Sequence, residues 1–420
     1  MAVFVALTLA RVPVAFALLV ASLAYLLAAG RDLGLAADQV MNTLMGNGVL
    51  LAIPMFLLAA NLMNSGSISD RLFAACHALV GRIRGGLAQV DVLVSVAFAS
   101  MSGSAVADAA GPGLVTIRAM EKGGYPRGFA AAIVAASAVL GPIIPPSIPM
   151  VLYALIANVS VAALFLGGVI PGLLMAGAMM GVVAITARRR GFPLAEPPAD
   201  RGRVLALAIL PFGMPVVLLG GIYGGFFTPT EASAVAALYA LLLAGAVYRE
   251  LTVRSLAACF VETARQTAVI LLMIAGAFAV NYAVTAEQLD KSLAAWITGL
   301  GLSPLGFLVT VNVVFLVLGC FIDATTMLLV LVPVLLPTVA ALGIDPVYFG
   351  VLIVINVTIG LVTPPYGLLL FVLSALAKIP LGEIVRECWA PIGSLVGALA
   401  LLVVFPGLVT WLPRMLGYLK

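Results

Sequence analysis

Gly141-Pro-Ile-Ile-Pro-Pro146 interrupts an apolar run, 129–157, that is otherwise long enough to cross a bilayer. Proline has no amide hydrogen and its ring clashes with the preceding turn, so the motif releases backbone carbonyls from helical pairing in mid-run. The same Gly-x-x-x-Pro-Pro spacing returns at Gly360-Leu-Val-Thr-Pro-Pro365, inside the apolar run 347–377. Two such breaks, one in each half of a chain, are an arrangement by which membrane carriers hold ions at mid-membrane. A pair of packing kinks is the plainer alternative.

Composition decides what surrounds the breaks. Of 420 residues, 64% are hydrophobic and only 9% charged, and the mean hydropathy is +1.23. A water-exposed globular surface needs about 25% charged residues, so the chain is an integral membrane protein without a soluble domain. Apolar stretches of helical rather than barrel length recur throughout. The net charge of +4 comes from basic loops and is explained by the positive-inside rule, not by a nucleic-acid partner. Four cysteines without CxxC spacing and a single histidine, His77, argue against a structural metal or disulfide. The first apolar run, 3–29, holds Arg11 and Pro13, lacks a cleavage signature and is expected to remain as a helix, with Arg11 snorkelling or paired.

Outward from Gly141, the preceding run 86–123 is broken by Ala99-Ser-Met-Ser-Gly-Ser-Ala105 into two arms too short to span. A re-entrant hairpin with its tip at Ser102-Gly103-Ser104 fits both that length and its basic flanks, Arg82 and Arg84 before it, Arg118 and Lys122 after it. Ahead of it, 68–84 mixes arginines and apolar residues as a helix lying in the interface does. Ahead of that come a span at 49–64 and a weaker segment at 33–46, whose crossing stays open. After the break come a span at 161–186 and a link, 191–203, carrying Pro193, Pro197 and Pro198. That link is the expected boundary between a first repeat, 1–190, and a second, 204–420.

The second half follows the same plan: spans at 204–223, 231–248 and 267–285, an amphipathic piece at 286–301, a hairpin at about 304–342, and the broken run. Tyr125-Pro126 falls 19 residues before Pro145, and Asp345-Pro346 falls 18 before Pro364. Ala107-Asp108-Ala109 matches Ile322-Asp323-Ala324, whereas nothing in the second half matches Asp91. The second hairpin has mostly acidic flanks, Glu287, Asp290 and Asp345, so it is expected to enter from the other side, which makes the repeats inverted. A link with Lys378, Glu383, Arg386 and Glu387 leads to a last span at 392–412. The expected fold is therefore an all-α polytopic membrane protein with two re-entrant hairpins and two broken helices.

Candidate site residues follow from the breaks. Carbonyls near Gly141, Ile144 and Pro146, and near Gly360, Thr363 and Pro365, can replace the water shell of a small hard cation such as sodium. Ser102, Gly103 and Ser104 let the hairpin tip approach closely and offer hydroxyl oxygens. Asp108 and Asp323 are carboxylates in apolar surroundings, costly unless paired or hydrated; each either sits near an ion or caps a half-helix. Gly319 lies at the second hairpin break. Half-helix N-termini at the tips favour an anionic substrate between them, and Ser102, Gly103, Ser104, Ser137, Thr325 and Asn356 are the candidate substrate contacts. Asp91 is expected to bond within its own hairpin. Thr228-Pro-Thr-Glu231 reads as a helix start.

Ser102-Gly-Ser-Ala-Val-Ala-Asp108, Gly141-Pro-Ile-Ile-Pro-Pro-Ser147, Gly85-Gly86 after Arg82-Ile-Arg84, and Phe227-Thr-Pro-Thr-Glu-Ala232 together resemble the large membrane subunit of tripartite ATP-independent periplasmic (TRAP) transporters over essentially the whole chain. The resemblance implies sodium-coupled secondary uptake, in a prokaryotic inner membrane, of an organic acid such as a C4-dicarboxylate, keto acid or sialic acid. It implies two partners: a periplasmic binding protein and a small four-helix membrane subunit, here expected as a separate polypeptide. It also implies an elevator mechanism. Carried over by motif, one sodium site uses Ser102, Gly141, Ile144 and Pro146 near Asp108. By internal match, a second uses the region of Gly319, Asp323, Gly360, Thr363 and Pro365. Ala138 departs from relatives that often place a hydroxyl after Ser137.

Competing classes are an intramembrane enzyme and a passive anion channel. No HExxH motif, Ser-His pair or Walker A pattern is present, so the expectation is not an enzyme. An aspartyl dyad of Asp108 and Asp323 is the one enzymatic alternative.

Overall fold

The computed structural model describes residues 2–10, 12–65, 67–192 and 200–419, and every regular element among them is helical. Arg11 and the link prolines at 193, 197 and 198 lie outside the described residues.

The first apolar run forms two helices, α1 (Ala2–Leu9) and α2 (Val14–Ala28), rather than one. Pro13 sits at the N-cap of α2, where its missing amide costs nothing. Next come α3 (Gly34–Gly46) and α4 (Ala52–Asn64), joined by a 3-10 turn; together they are apolar enough for one span, bent by 68°. Helix α5 (Ile68–Val80) is followed by α6 (Gly86–Ser102), α7 (Ala105–Ala110) and α8 (Pro112–Lys122). The last three form the expected hairpin: α6 runs to a tip at Gly103, and α7 and α8 return along it. The broken run becomes α9 (Arg127–Ala138) and α10 (Ile148–Ala157), and α11 (Val161–Arg190) completes the first half.

The second half opens with α12 (Arg201–Tyr223), α13 (Pro229–Leu242) with a terminal π turn, and α14 (Val253–Ala286). Thr228 and Glu231 form a reciprocal capping box at the start of α13, so Thr228 is the cap. Helix α14 begins well before the expected 267, because Thr252 and Ser255 cap each other there and Glu262 pairs with Arg265 and Gln266 one turn on. Then follow α15 (Leu289–Gly299), the hairpin α16 (Pro304–Gly319) and α17 (Ala324–Ala341), and the broken pair α18 (Pro346–Gly360) and α19 (Leu368–Ala377). The expected last span is two helices, α20 (Leu381–Val404) and α21 (Gly407–Met415), parted at Phe405-Pro406. Glu383, Arg386 and Glu387 belong to the first turns of α20, not to a link; there Glu387 reaches Arg190 at the end of α11, 2.8 Å away.

Burial separates framework from centre. Every residue from Gly128 to Ala138 in α9 and from Val347 to Gly360 in α18 is buried. Among the described residues six helices are long and apolar enough to cross a membrane, α11, α12, α13 with its π turn, α14, α20 and, from the second hairpin, α17, and only 33–44% of their most apolar window is buried. In water, exposed side chains such as Val216 at 71% or Val261 at 68% would be costly; in a bilayer they face lipid. The broken helices are thus the core, although neither spans alone. Helices α2, α3, α4, α13 and α14 pack on one another as a framework. The halves also interlock: α10 packs on α17 of the second hairpin, and α19 packs on α7 and α9.

Candidate functional site

The first hairpin tip meets the first helix break. Gly103 turns the chain at φ 60°, a conformation that glycine adopts without strain. A Cβ added there would lie 2.6 Å from the Pro146 carbonyl oxygen, so the tip backbone rests directly on the Pro-Pro segment. Ser104 caps α7, its hydroxyl accepting from the Ala107 amide. One turn on, Asp108 is 2% exposed and accepts a hydrogen bond from the Ser102 hydroxyl through Oδ1. Its other oxygen, Oδ2, is buried and has no hydrogen-bond partner among the described residues. That oxygen faces the backbone of Gly141, where an added Cβ would come within 2.5 Å of it.

The break supplies the remaining oxygens. Gly141 N–H bonds the Ala138 carbonyl, and the amides of Ile143 and Ile144 both turn back to Leu140. Among the described residues, no backbone amide donates to the carbonyls of Gly141, Ile144 or Pro146. Ser147 caps α10 and also donates its hydroxyl to the Pro142 carbonyl. Ile144 packs its side chain toward Gly172 of α11. Ser102, Gly103, Asp108, Gly141 and Pro146 are therefore brought together, in a setting of carboxylate, hydroxyl and carbonyl oxygens. An oxygen-only donor set fits a hard cation such as sodium.

The second hairpin meets its break differently. Gly319 and Gly360 pack backbone against backbone: a Cβ on Gly360 would lie 2.9 Å from the Gly319 Cα. The Tyr366 amide donates to the Cys320 carbonyl at 3.2 Å. The Gly360 carbonyl accepts from the Thr363 amide, and the Thr363 hydroxyl donates to Ile359 at 2.8 Å. Asp323 caps α17, accepting from the amides of Thr325 and Thr326, at 3.0 and 3.1 Å, and from the Thr326 hydroxyl. Of the two roles open to the aspartates, the cap is occupied at Asp323, while Asp108 keeps a free oxygen. Both Pro-Pro peptides, 145–146 and 364–365, are cis.

Two candidate substrate contacts are turned inward. Ser137 is fully buried and donates to Asp91 Oδ2 at 2.6 Å. Thr116 of α8 donates its hydroxyl to the Pro112 carbonyl at 3.1 Å, and the hydrogen bond from Ser137 to Asp91 ties the hairpin to α9. Asn356 is fully buried and donates to both the backbone and side-chain oxygens of Asn312, each at 2.8 Å. Sequence reasoning missed that these are equivalent braces. Ser137 and Asn356 each stand four residues before a break glycine, and each bonds the first arm of its hairpin. The missing match to Asp91 is Asn312, a different residue type at a slightly different register, which pattern matching for acids cannot find.

The chain has relatives over nearly its whole length. The family model described as the DctM component of the tripartite ATP-independent periplasmic transporter matches residues 1–408. The sialic acid TRAP transporter large permease SiaM of Vibrio cholerae is 41% identical over 97% of this chain and 96% of its own length. The C4-dicarboxylate TRAP transporter large permease DctM of Pseudomonas aeruginosa is 42% identical over 87% and 84%. In fold, the crystal structure of the Alcanivorax borkumensis YdaH transporter superposes with a TM-score of 0.66 at 17% identity, covering 88% of this chain and 87% of that one. Full-length matches of this strength, to a chain whose hairpin tip and helix break meet around a buried acid, establish that the protein belongs to the TRAP transporter family as its DctM component.

Proposed function

We propose that this permease moves a carboxylate, of the C4-dicarboxylate, keto acid or sialic acid kind, inward across the membrane together with sodium. It is a multi-pass inner-membrane transporter permease and not an enzyme, and its family works with a substrate-binding protein and a small permease subunit. The aspartyl-dyad alternative falls with that assignment. The substrate class is taken from the relatives, named for sialic acid and C4-dicarboxylates. The small subunit is read as a four-helix protein, and the chain as two inverted repeats, 1–190 and 204–420.

The observation that carries the sodium reading is the free, buried Asp108 oxygen against Gly141, beside carbonyls that no backbone amide engages. An unpaired carboxylate in an apolar interior is costly, and a cation relieves that cost. Ser102 holds one oxygen of Asp108 in place, and Gly141 lets the other approach the backbone. Sodium supplies the positive charge that draws hairpin tip and break together. At the second break the cation would have only Asp323, already a cap, and the remaining carbonyls near Thr363 and Pro365. The substrate anion would lie between the tips, where α10, α17 and α19 direct helix N-termini toward it. The centre, hairpins plus broken helices, is read as one body sliding against the α2–α4 and α13–α14 framework.

The test is reconstitution of the complex with its binding protein and small subunit in liposomes. An inward sodium gradient is expected to drive accumulation of a labelled C4-dicarboxylate or sialic acid above equilibrium. Equal accumulation with potassium in place of sodium would remove the coupling, and rapid flux without accumulation would favour a channel.

A further inference from the structure

Two clusters of charged and aromatic side chains hold the roots of the short helices α5 and α15, which lead from framework helices into the two hairpins. At the first, Glu250 in the link between α13 and α14 accepts from the Ser67 amide at 2.7 Å and the Ser67 hydroxyl at 2.5 Å. Arg71 in the first turn of α5 donates to Glu250 at 3.3 Å and to Ser67 at 2.9 Å, and its guanidinium lies 4.0 Å from the centre of the Tyr248 ring. At the second, Glu287, just past the end of α14 and before α15, accepts from the Tyr25 hydroxyl at 2.5 Å. Arg31, in the link between α2 and α3, donates to the Tyr282 hydroxyl at 3.0 Å and faces the rings of Tyr25 and Tyr282 at 6.0 and 5.8 Å.

The two clusters correspond. Each joins one glutamate, one arginine and at least one tyrosine. The first ties the root of α5 to the loop after α13, in the other half of the chain; the second ties Glu287, at the root of α15, to Tyr25 of α2, while Arg31 beside it bonds Tyr282 of α14. Their polarity is exchanged: the first has its arginine on α5 and its glutamate in the framework loop, the second its glutamate at the root of α15 and its arginine in the framework loop. Beyond the roots, α5 packs on α6 and α8, and α15 packs on α17. At the second cluster, Tyr25 and Glu287 line an apolar cleft with Leu18, Val280, Val284 and, from α17, Val330. Hence the roots are tied by polar contacts, and the hairpin helices beyond them pack on apolar surface.

We propose that the two clusters are fixed pivots, and that Arg71, Glu250, Arg31 and Glu287 are positioning residues for transport which keep the roots of α5 and α15 on the framework while the hairpins move. Latches for alternate states would close in turn, one open while the other is shut. Here both are closed in one structure, as pivots must be. A partly exposed ion pair such as Arg71–Glu250 contributes little stability singly, but polar ties at both joints restrict where a chain can bend.

The inference rests on the moving-centre reading under Proposed function, and one experiment separates the two. Spin labels at Val106→Cys on α7 and Val261→Cys on α14, both exposed, with Cys320→Ser, report the distance from hairpin to framework in the reconstituted complex. The distance distribution is expected to differ between sodium chloride and potassium chloride. That difference should persist when Ser67→Cys and Glu250→Cys are joined by a bismaleimide linker. Glu250→Gln and Glu287→Gln should each broaden the distribution, populating displaced positions about two- to fivefold more than the parent does. Loss of the salt-dependent difference on linking would make the first cluster a latch and overturn the proposal. Unbroadened distributions with only a lower melting temperature would make the clusters structural and overturn it as well. No difference between the salts in the parent would overturn the moving-centre reading itself, and the pivots with it.

Discussion

Asp108 and Asp323 stand at the same point of two hairpins, yet their surroundings give them different work. Asp323 spends its oxygens on the amides of Thr325 and Thr326 and on the Thr326 hydroxyl. Asp108 gives its cap to Ser104, takes one hydrogen bond from Ser102 and leaves Oδ2 bare against Gly141. The difference begins one helical turn earlier. The first hairpin has a serine available to cap α7 ahead of its acid, so the acid moves to the fourth helical position and points across the gap. The second hairpin has no such residue and uses the acid itself. An internal repeat in sequence therefore does not guarantee a repeat in chemistry: what matters is which neighbouring residue is free to take the structural role.

The comparison breaks most sharply at the aspartates. Asp108→Asn removes the charge that a cation would need, and losing a charge-assisted contact of about 1.5–3 kcal/mol corresponds to roughly a 10- to 150-fold rise in the sodium concentration giving half-maximal uptake. Asp323→Asn keeps a cap, since Asn and Asp serve nearly equally at that position. Its sodium dependence should shift less than about twofold, and Asp323→Ala should instead cost about 1 kcal/mol of stability. Sodium titration of uptake, paired with melting curves, checks both. A large sodium shift in Asp323→Asn would give the second aspartate an ion-binding role equal to the first and dissolve the contrast.

Glycines sharpen it next. At Gly141 an added methyl meets the end of a side chain, the Asp108 carboxylate, whereas at Gly360 it meets the backbone of Gly319. Gly141→Ala should therefore fold and lose sodium dependence. Gly360→Ala should lower the melting temperature as overpacking does, at a cost of about 1–3 kcal/mol. Matching behaviour of the two variants, in either assay, would mean that the breaks are packed alike.

Much of this arrangement was legible in the chain. Two Pro-Pro breaks, a run of small residues at 99–105 and the absence of a polar surface were enough to read hairpins, broken helices and a membrane setting, because each follows from a missing amide or a missing charge. Helix ends were less legible. The start of α14 at Val253 depends on the mutual cap of Thr252 and Ser255, and the break at Phe405-Pro406 was hidden by continuous hydrophobicity. Least legible were partners across the fold. Nothing local marks Ser137 as turned toward Asp91, or Glu250 as the partner of Ser67, since those contacts join residues 46 and 183 positions apart.

The braces offer the smallest and most discriminating test. Ser137 and Asn356 occupy equivalent places ahead of the two breaks, but one bonds a carboxylate and the other an amide. Ser137→Ala removes the hydroxyl donor from the buried Asp91, a loss of roughly 1–2 kcal/mol. Asn356→Ala removes both bonds to Asn312 and leaves behind only that residue's neutral oxygens, while the Asn356 Oδ1 lost with the side chain was unpaired already. Its cost should be nearer about 1 kcal/mol for the polar contacts, plus the small void. Neither variant should alter the sodium dependence of uptake, because neither side chain reaches a break carbonyl. Melting curves then rank the braces, and sodium titration asks whether they are braces at all: a shift in sodium dependence for Ser137→Ala alone would extend the cation site from Asp108 through Asp91, and the asymmetry between the halves would be one of charge throughout rather than of a single cap.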